Sequence, residues 1–162
     1  MRSDALADWR AAFAIYLQPR PLTLLLLGFS SGLPLLLVFG TLSFWLREAG
    51  IDRSTIGFVS WVALAYGFKW VWAPLVDRVH LPLLGDWLGR RRSWLLLAQI
   101  AVAGGLAAMA FTDPQQDLRQ LVLLAVLVAF SSATQDIVID AFRIESGGSR
   151  LQAAMAATYM IG

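Results

Sequence analysis

The chain has 162 residues, 58% of them hydrophobic and only 15% charged, a balance outside that of soluble domains and expected of an all-α integral membrane protein. The net charge is +2, and the basic residues fall in connecting segments rather than in a groove with aromatic platforms, which argues against a nucleic-acid partner. The chain contains no cysteine, which excludes disulfides and thiol chemistry.

Residues 1–21 form the first segment. Leu6, Trp9, Phe13, Tyr16 and Leu17 recur at helical spacing with Asp4, Asp8 and Arg10 between them, and Pro19 and Pro21 end the pattern. This spacing predicts an amphipathic helix lying in the cytoplasmic interface of a lipid bilayer, with a poorly ordered tail as the alternative. From residue 22 to residue 162 the apolar residues gather into runs near the ~20 residues that cross a roughly 30 Å hydrocarbon layer. Spans are expected at about 22–46, 55–76, 93–112 and 119–142, with a fifth opening at Leu151. The first run is no secretory signal, because it is about 25 residues long, follows 21 others and lacks a small-x-small cleavage site. The fifth stops at Gly162, short of a crossing length, so the chain is expected to be the front part of a longer protein.

The first span contains GFSSGLP, with Gly28, Gly32 and Pro34 near its middle. Pro34 has no backbone donor for the carbonyl of Ser30 and is expected to kink the helix. Backbone groups freed inside a bilayer need a protein or aqueous receiver, and Ser30 and Ser31 are candidates. Gly28 and Gly32 also make a small-xxx-small pair that admits a neighbouring helix, so a packing seam is the alternative. AFSSAT at 129–134 echoes GFSSGL at 28–33, as inverted three-helix repeats would have it, but three identities between apolar helices arise easily by chance.

In the second span, Lys69 lies about eight residues before Asp77, roughly 12 Å below the cytoplasmic edge. Either its long stem snorkels to the interface or it meets a buried partner. In the fourth span, Asp136 lies seven residues before Arg143, about 10 Å deep. Both spans run from outside to inside, so Lys69 and Asp136 share a depth and neutralise each other if their helices meet. Asp140 is one turn on, and Gln135 on the adjacent edge is able to hydrogen-bond a carboxylate or a polar solute. The helix C-terminus already carries partial negative charge, so carboxylates there need cations or protons. An Asp136 without a steady partner is a candidate proton carrier; a structural ion-pair network is the alternative, above all for Asp140.

The loop DRVHLPLLGDWLGRRR joins the second and third spans. Asp77 and Arg78 close one helix, and Gly89 turns the chain into Arg90 and Arg91 at the start of the next. Charge pairs here would act as a latch that forms in one state and breaks in another; otherwise the arginines only set topology. The inner segments hold nine arginines (Arg2, Arg10, Arg20, Arg78, Arg90, Arg91, Arg92, Arg143, Arg150) and the outer loops three (Arg47, Arg53, Arg119). That bias puts the N-terminus in the cytoplasm. No catalytic set is visible: His80 is the single histidine and sits in a loop, and no Gly-rich phosphate loop follows a strand.

Five stretches together, GFSSGLPLLL (28–37), IDRSTIGFVS (51–60), FKWVWAPLVDR (68–78), GRRRSWLLLAQ (89–99) and FSSATQDIVIDA (130–141), resemble the AmpG muropeptide permeases of the major facilitator superfamily. The resemblance implies the N-terminal part of a six-helix bundle, here four spans plus the start of a fifth, from a two-bundle carrier. It implies a bacterial inner-membrane symporter that imports anhydro-muropeptides, or amino-sugar solutes, with protons and without a cofactor. By that resemblance Lys69, Gln135, Asp136 and Asp140 match intramembrane polar positions, and Asp77, Arg78, Gly89, Arg90 and Arg91 match an inner-gate loop. The loop departs from the general facilitator spacing Asp-Arg-x-Gly-Arg, because ten residues separate Arg78 from Gly89. A C-terminal transmembrane half would be the necessary partner. The alternatives are an acetyl-CoA-type carrier of the same superfamily and a non-transporting assembly module whose ionisable residues only join helices.

Overall fold

The computed structural model describes residues 13–146 and 148–162. Of the expected interfacial helix, Leu6, Trp9, Asp4, Asp8 and Arg10 lie outside the described residues, while residues 13–16 are helical. All regular structure among the described residues is helical.

The first apolar stretch forms α1 (Pro19–Leu36), a π-helical segment (Leu37–Thr41) and α2 (Leu42–Glu48), a continuous run of 30 residues. At about 1.5 Å per residue it exceeds the hydrocarbon thickness of a bilayer. Pro34 lies inside α1, and a turn later the ladder changes step. The amide of Leu42 donates to the carbonyl of Leu37, five residues back, the spacing of a π-turn. The disruption expected at Pro34 thus takes the form of a widened turn beyond it.

The second stretch, expected as one span over about 55–76, is a chain of short pieces. These are α3 (Arg53–Val59), a 3₁₀ segment (Ser60–Ala63), α4 (Leu64–Gly67), a second 3₁₀ segment (Lys69–Val71) and α5 (Ala73–Arg78). Two causes are local. Pro74 occupies the first turn of α5, where its missing amide costs nothing, and it prevents a regular helix from arriving from behind. Phe68 and Trp72, at φ −97° and −103°, mark the breaks on either side of Lys69. At the other end, Asp52 caps α3, its carboxylate accepting from the Thr55 amide (3.0 Å) and hydroxyl (2.6 Å) and from the Ser54 hydroxyl. These bonds hold the Asp52 carboxyl well below the usual carboxylate range.

After a short α6 (Leu84–Leu88), two long helices follow, α7 (Arg90–Ala110) and α8 (Leu118–Glu145), then α9 (Ser149–Ile161). The 30-residue run, α7 and α8 are long and apolar enough to cross a membrane. In its most apolar stretch α8 is 61% buried, against 28% for the other two, so its side chains face protein where theirs largely face outward.

The chain divides into two compact units, residues 33–138 and residues 1–32 with 139–162. The core of the 33–138 unit joins Val38, Leu42 and Leu46 to Val59 and Val62, to Val102 and Met109 of α7, and to Leu121, Ala125, Val128 and Ala129 of α8. Small residues set the approach of α7 to α8: a Cβ on Gly105 would meet Val128 Cγ2 at 2.6 Å. At one loop end, Gln115 donates to the Ala49 carbonyl at 2.9 Å.

In the other unit, the early part of α1 packs on α9. Leu24, Ala154 and Met155 are buried, and Gly28 lies directly against the backbone carbonyl of Tyr159. Ser31 Oγ and Tyr159 Oη are 3.3 Å apart. Arg20 donates to the carbonyl of Ser146, and Gln152 to that of Ile144 at 2.9 Å. Gly32 has nothing within 4 Å of where a Cβ would stand, so of the two glycines only Gly28 is a close-approach position.

Candidate functional site

Within the 33–138 unit the polar residues gather where α8 passes the broken second stretch. On α8, Ser131, Ser132, Thr134 and Gln135 are all buried, Gln135 to 1% exposure. Four polar side chains within little more than one turn of an apolar helix are tolerated only when they face protein, which the deep burial of α8 provides. Trp72 Nε1 donates to Thr134 Oγ1 at 3.2 Å, and Thr134 in turn donates to the Phe130 carbonyl at 2.8 Å. The Trp72 ring lies over Phe130, centroids 4.5 Å apart. The indole thus acts as a bracket that sets the rotation of α8 relative to residues 69–72.

That rotation brings Lys69 Nζ to 3.8 Å from Asp136 Oδ2, the lysine side chain 36% and the aspartate 16% exposed. Of the two fates open to Lys69, the geometry is that of a partner. The 3₁₀ turn beginning at Lys69 matters, because tightening the chain there changes which way the lysine points relative to Tyr66 and Trp72. At 3.8 Å and partly open, the pair is a loose ion pair rather than a closed double hydrogen bond.

Asp140 has a different partner. Its Oδ1 lies 3.3 Å from Arg143 Nη2, three residues along the same helix, and this pair sits in the unit formed by residues 1–32 and 139–162. Arg143 in the last turn also offsets the negative end of α8. Ser30 is half-buried, Ser31 is buried against Tyr159, and Pro34 is fully buried.

The loop residues expected to form a latch stand at the two ends of the connection between α5 and α7. Asp77 and Arg78 end α5 and are exposed, and among the described residues Asp77 makes no ion pair. Gly89 takes φ +80°, a conformation that favours glycine, and turns the chain into Arg90 and Arg91 at the start of α7. Uncharged groups tie the loop down: Ser93 Oγ donates to Leu84 O (2.6 Å) and Gly89 O (2.8 Å), and Trp94 Nε1 to Val79 O (2.9 Å). His80 Nδ1 lies 3.8 Å from Asp86.

Sequence patterning missed Tyr66, Trp72 and Tyr159. Tyr66 and Trp72 stand three residues either side of Lys69, and Ser132 four before Asp136, so helical spacing about the ionisable pair was the available signal. Tyr159 carried none, because its role depends on where α9 lands.

A family model described as "Acetyl-coenzyme A transporter 1" matches residues 21–115, more than half of the chain. The chain belongs to this family. The family match stops before α8 begins, so Gln135 and Asp136 lie beyond it. Among curated relatives, "Anhydromuropeptide permease" of Escherichia coli (strain K12) is 47% identical over 148 residues, 91% of this chain and 29% of that protein. The protein of the same name in Escherichia coli O157:H7 gives the same figures. A Rickettsia conorii protein that carries the AmpG name (AmpG 4) is 38% identical over 148 residues, 91% of this chain and 36% of its own. The AmpG resemblance noted in the five sequence stretches is therefore matched by homology along nearly the whole chain. The chain spans about a third of the length of these relatives.

Proposed function

We propose that the intact protein is a secondary transporter of the bacterial inner membrane, N-terminus in the cytoplasm, that imports anhydro-muropeptides together with protons. The observation that carries this reading is the Lys69–Asp136 pair, 3.8 Å apart within apolar helices and beside a buried Gln135. Ionisable groups placed at membrane depth are costly and mark solute and proton pathways. The pair is open enough to be broken, so a proton on Asp136 would release Lys69, and the released groups with Gln135 offer donors and acceptors to an amide- and hydroxyl-bearing solute. The names of the permease relatives support the choice of solute. Residues 22–162 form part of one helical bundle in this reading, and a second bundle supplies the opposing wall needed for alternating access. Asp77, Arg78, Gly89, Arg90 and Arg91 are assigned to the cytoplasmic gate.

The test is proton-driven uptake of an anhydro-muropeptide by vesicles carrying the intact protein, with and without Asp136→Asn. Loss of uptake at normal membrane insertion supports the reading, and unchanged uptake removes Asp136 from it. An acetyl-CoA carrier is the second reading, favoured by the family match over residues 21–115. Uptake of acetyl-CoA in place of the muropeptide by the same vesicles would select it.

A further inference from the structure

The turn between α2 and α3 is bonded on both sides. Gly50 takes φ +80°, its amide donates to the Arg47 carbonyl at 3.1 Å, and the Ile51 amide donates to the Leu46 carbonyl at 3.0 Å, the paired bonds of a helix stopped by a left-handed glycine. Ile51 packs on the core that holds Leu46. Asp52 then caps α3, its carboxylate taken up by Ser54 and Thr55. The connection takes only four residues, and α2 and α3 lie in contact.

This turn sets Arg47 of α2 and Arg53 of α3 on the wall of one pocket, of about 340 Å³, completed by Ser43, Phe44 and Ile56. Neither guanidinium makes an ion pair or a hydrogen bond with any described residue. The neighbouring acids do not serve them. Asp52 is held as the cap, and Glu48, one residue from Arg47, lies on a different face of its helix. Two positive charges thus share a wall without a counter-charge, and the pocket favours an anion.

Place and lining decide which anion. Arg47 stands one residue from the end of the apolar run Pro19–Glu48, where a spanning helix passes from hydrocarbon into headgroups. Phe44, 64% exposed, lies one turn nearer the hydrocarbon than Arg47, and Ile56 adds to the same apolar surface. A guanidinium fork matches the paired oxygens of a phosphate, and the apolar side chains match the start of an acyl chain. The volume is at the lower end of the roughly 300–1,000 Å³ of ligand clefts, which suits a phosphate headgroup and is less than a glycopeptide fills. We propose that Arg47 and Arg53, with Ser43 as a further donor, bind the phosphate of an anionic phospholipid of the phosphatidylglycerol kind, whose chain runs along Phe44 and Ile56. Basic pockets between membrane helices hold anionic lipids in this way. The site depends on insertion of the chain in a bilayer and not on which solute is carried.

Native mass spectrometry of the intact protein in detergent, titrated with phosphatidylglycerol, phosphatidylcholine or glycerol phosphate, reads the binding directly. Arg47→Gln with Arg53→Gln removes two exposed charges and is expected to keep the fold, which circular dichroism checks. The two single variants, each expected to weaken retention, decide the matter if the double one misfolds. Arg119→Gln removes an exposed arginine that does not line the pocket and is the control. The parent and Arg119→Gln are expected to hold phosphatidylglycerol roughly tenfold or more tightly than the double variant does, and more tightly than they hold phosphatidylcholine. Undiminished retention by the Arg47 and Arg53 variants, an equal loss in Arg119→Gln, or no preference over phosphatidylcholine overturns the proposal, because general surface charge or apolar contact would then hold the lipid. Glycerol phosphate bound as tightly as phosphatidylglycerol also overturns it, by making the pocket a site for soluble anions. No readout involves transport, so failure here is separate from any failure of the transport reading.

Discussion

Lys69 and Asp136 come from separate helical stretches, one broken into short turns and the other continuous, and their charged atoms meet at 3.8 Å. The contact rests on the bracket next to it, Trp72 donating to Thr134 and lying over Phe130. Helix rotation, not depth alone, brings the charges together.

Replacing Asp136 with Asn is expected to lower proton-driven uptake by roughly tenfold or more, the equivalent of about 1.4 kcal/mol in a barrier, with insertion and yield little changed. Asn keeps the shape and a hydrogen-bonding oxygen but carries no titratable charge. Transport assays in vesicles beside a membrane-fraction blot separate the two effects.

Exchanging the pair, Lys69→Asp with Asp136→Lys, distinguishes a carrier from an assembly module. A pair that only joins helices tolerates the exchange because the attraction is symmetric. The expected outcome is a folded, membrane-inserted protein with no uptake, measured by size-exclusion profile and transport together. Full uptake by the exchanged protein would favour the assembly role.

Gly28→Val is expected to destabilise the α1–α9 contact by about 1–3 kcal/mol, as overpacking does where the obstacle is backbone. A Cβ at Gly28 meets the Tyr159 carbonyl, whereas one at Gly32 meets nothing within 4 Å. Gly32→Ala is therefore the control and is expected to melt with the parent. Thermal unfolding of both variants in the same detergent makes the comparison.

Asp52 supplies a pH-dependent element outside the membrane. Three hydrogen bonds from Ser54 and Thr55 hold its carboxyl below the ordinary value of 3.8. A depressed folded-state value means that the cap contributes fully above the ordinary value and is lost as pH falls below it toward the folded one. Hydrogen exchange at the Thr55 amide is expected to be slow at neutral pH. The protection should fall at pH below about 4 and should be absent in Asp52→Ala at every pH.

The apolar runs made the helical class and three long crossing-length helices legible from composition alone, because hydrocarbon admits little else than helix or closed barrel. Position along each helix was legible too, since helical rise is nearly constant, and the charged atoms of Lys69 and Asp136 do meet at 3.8 Å. Pro34 signalled a break, although not that a π-turn would absorb it. The pieces of the second stretch were less visible: hydropathy sums over residues 55–76 without registering that Pro74 and the breaks at Phe68 and Trp72 interrupt the ladder.

By itself the amino-acid order determined which residues lie in apolar helices and roughly how far along each helix every ionisable group stands, because both follow from local transfer energies and a fixed rise per residue. Only the tertiary structure decided that Lys69 faces Asp136, that Asp140 turns to Arg143, and that Gly28 and not Gly32 receives a backbone. Those outcomes depend on the rotation of each helix about its axis. That rotation is set by long-range packing of side chains such as Trp72 and Tyr159, on which local hydropathy is silent.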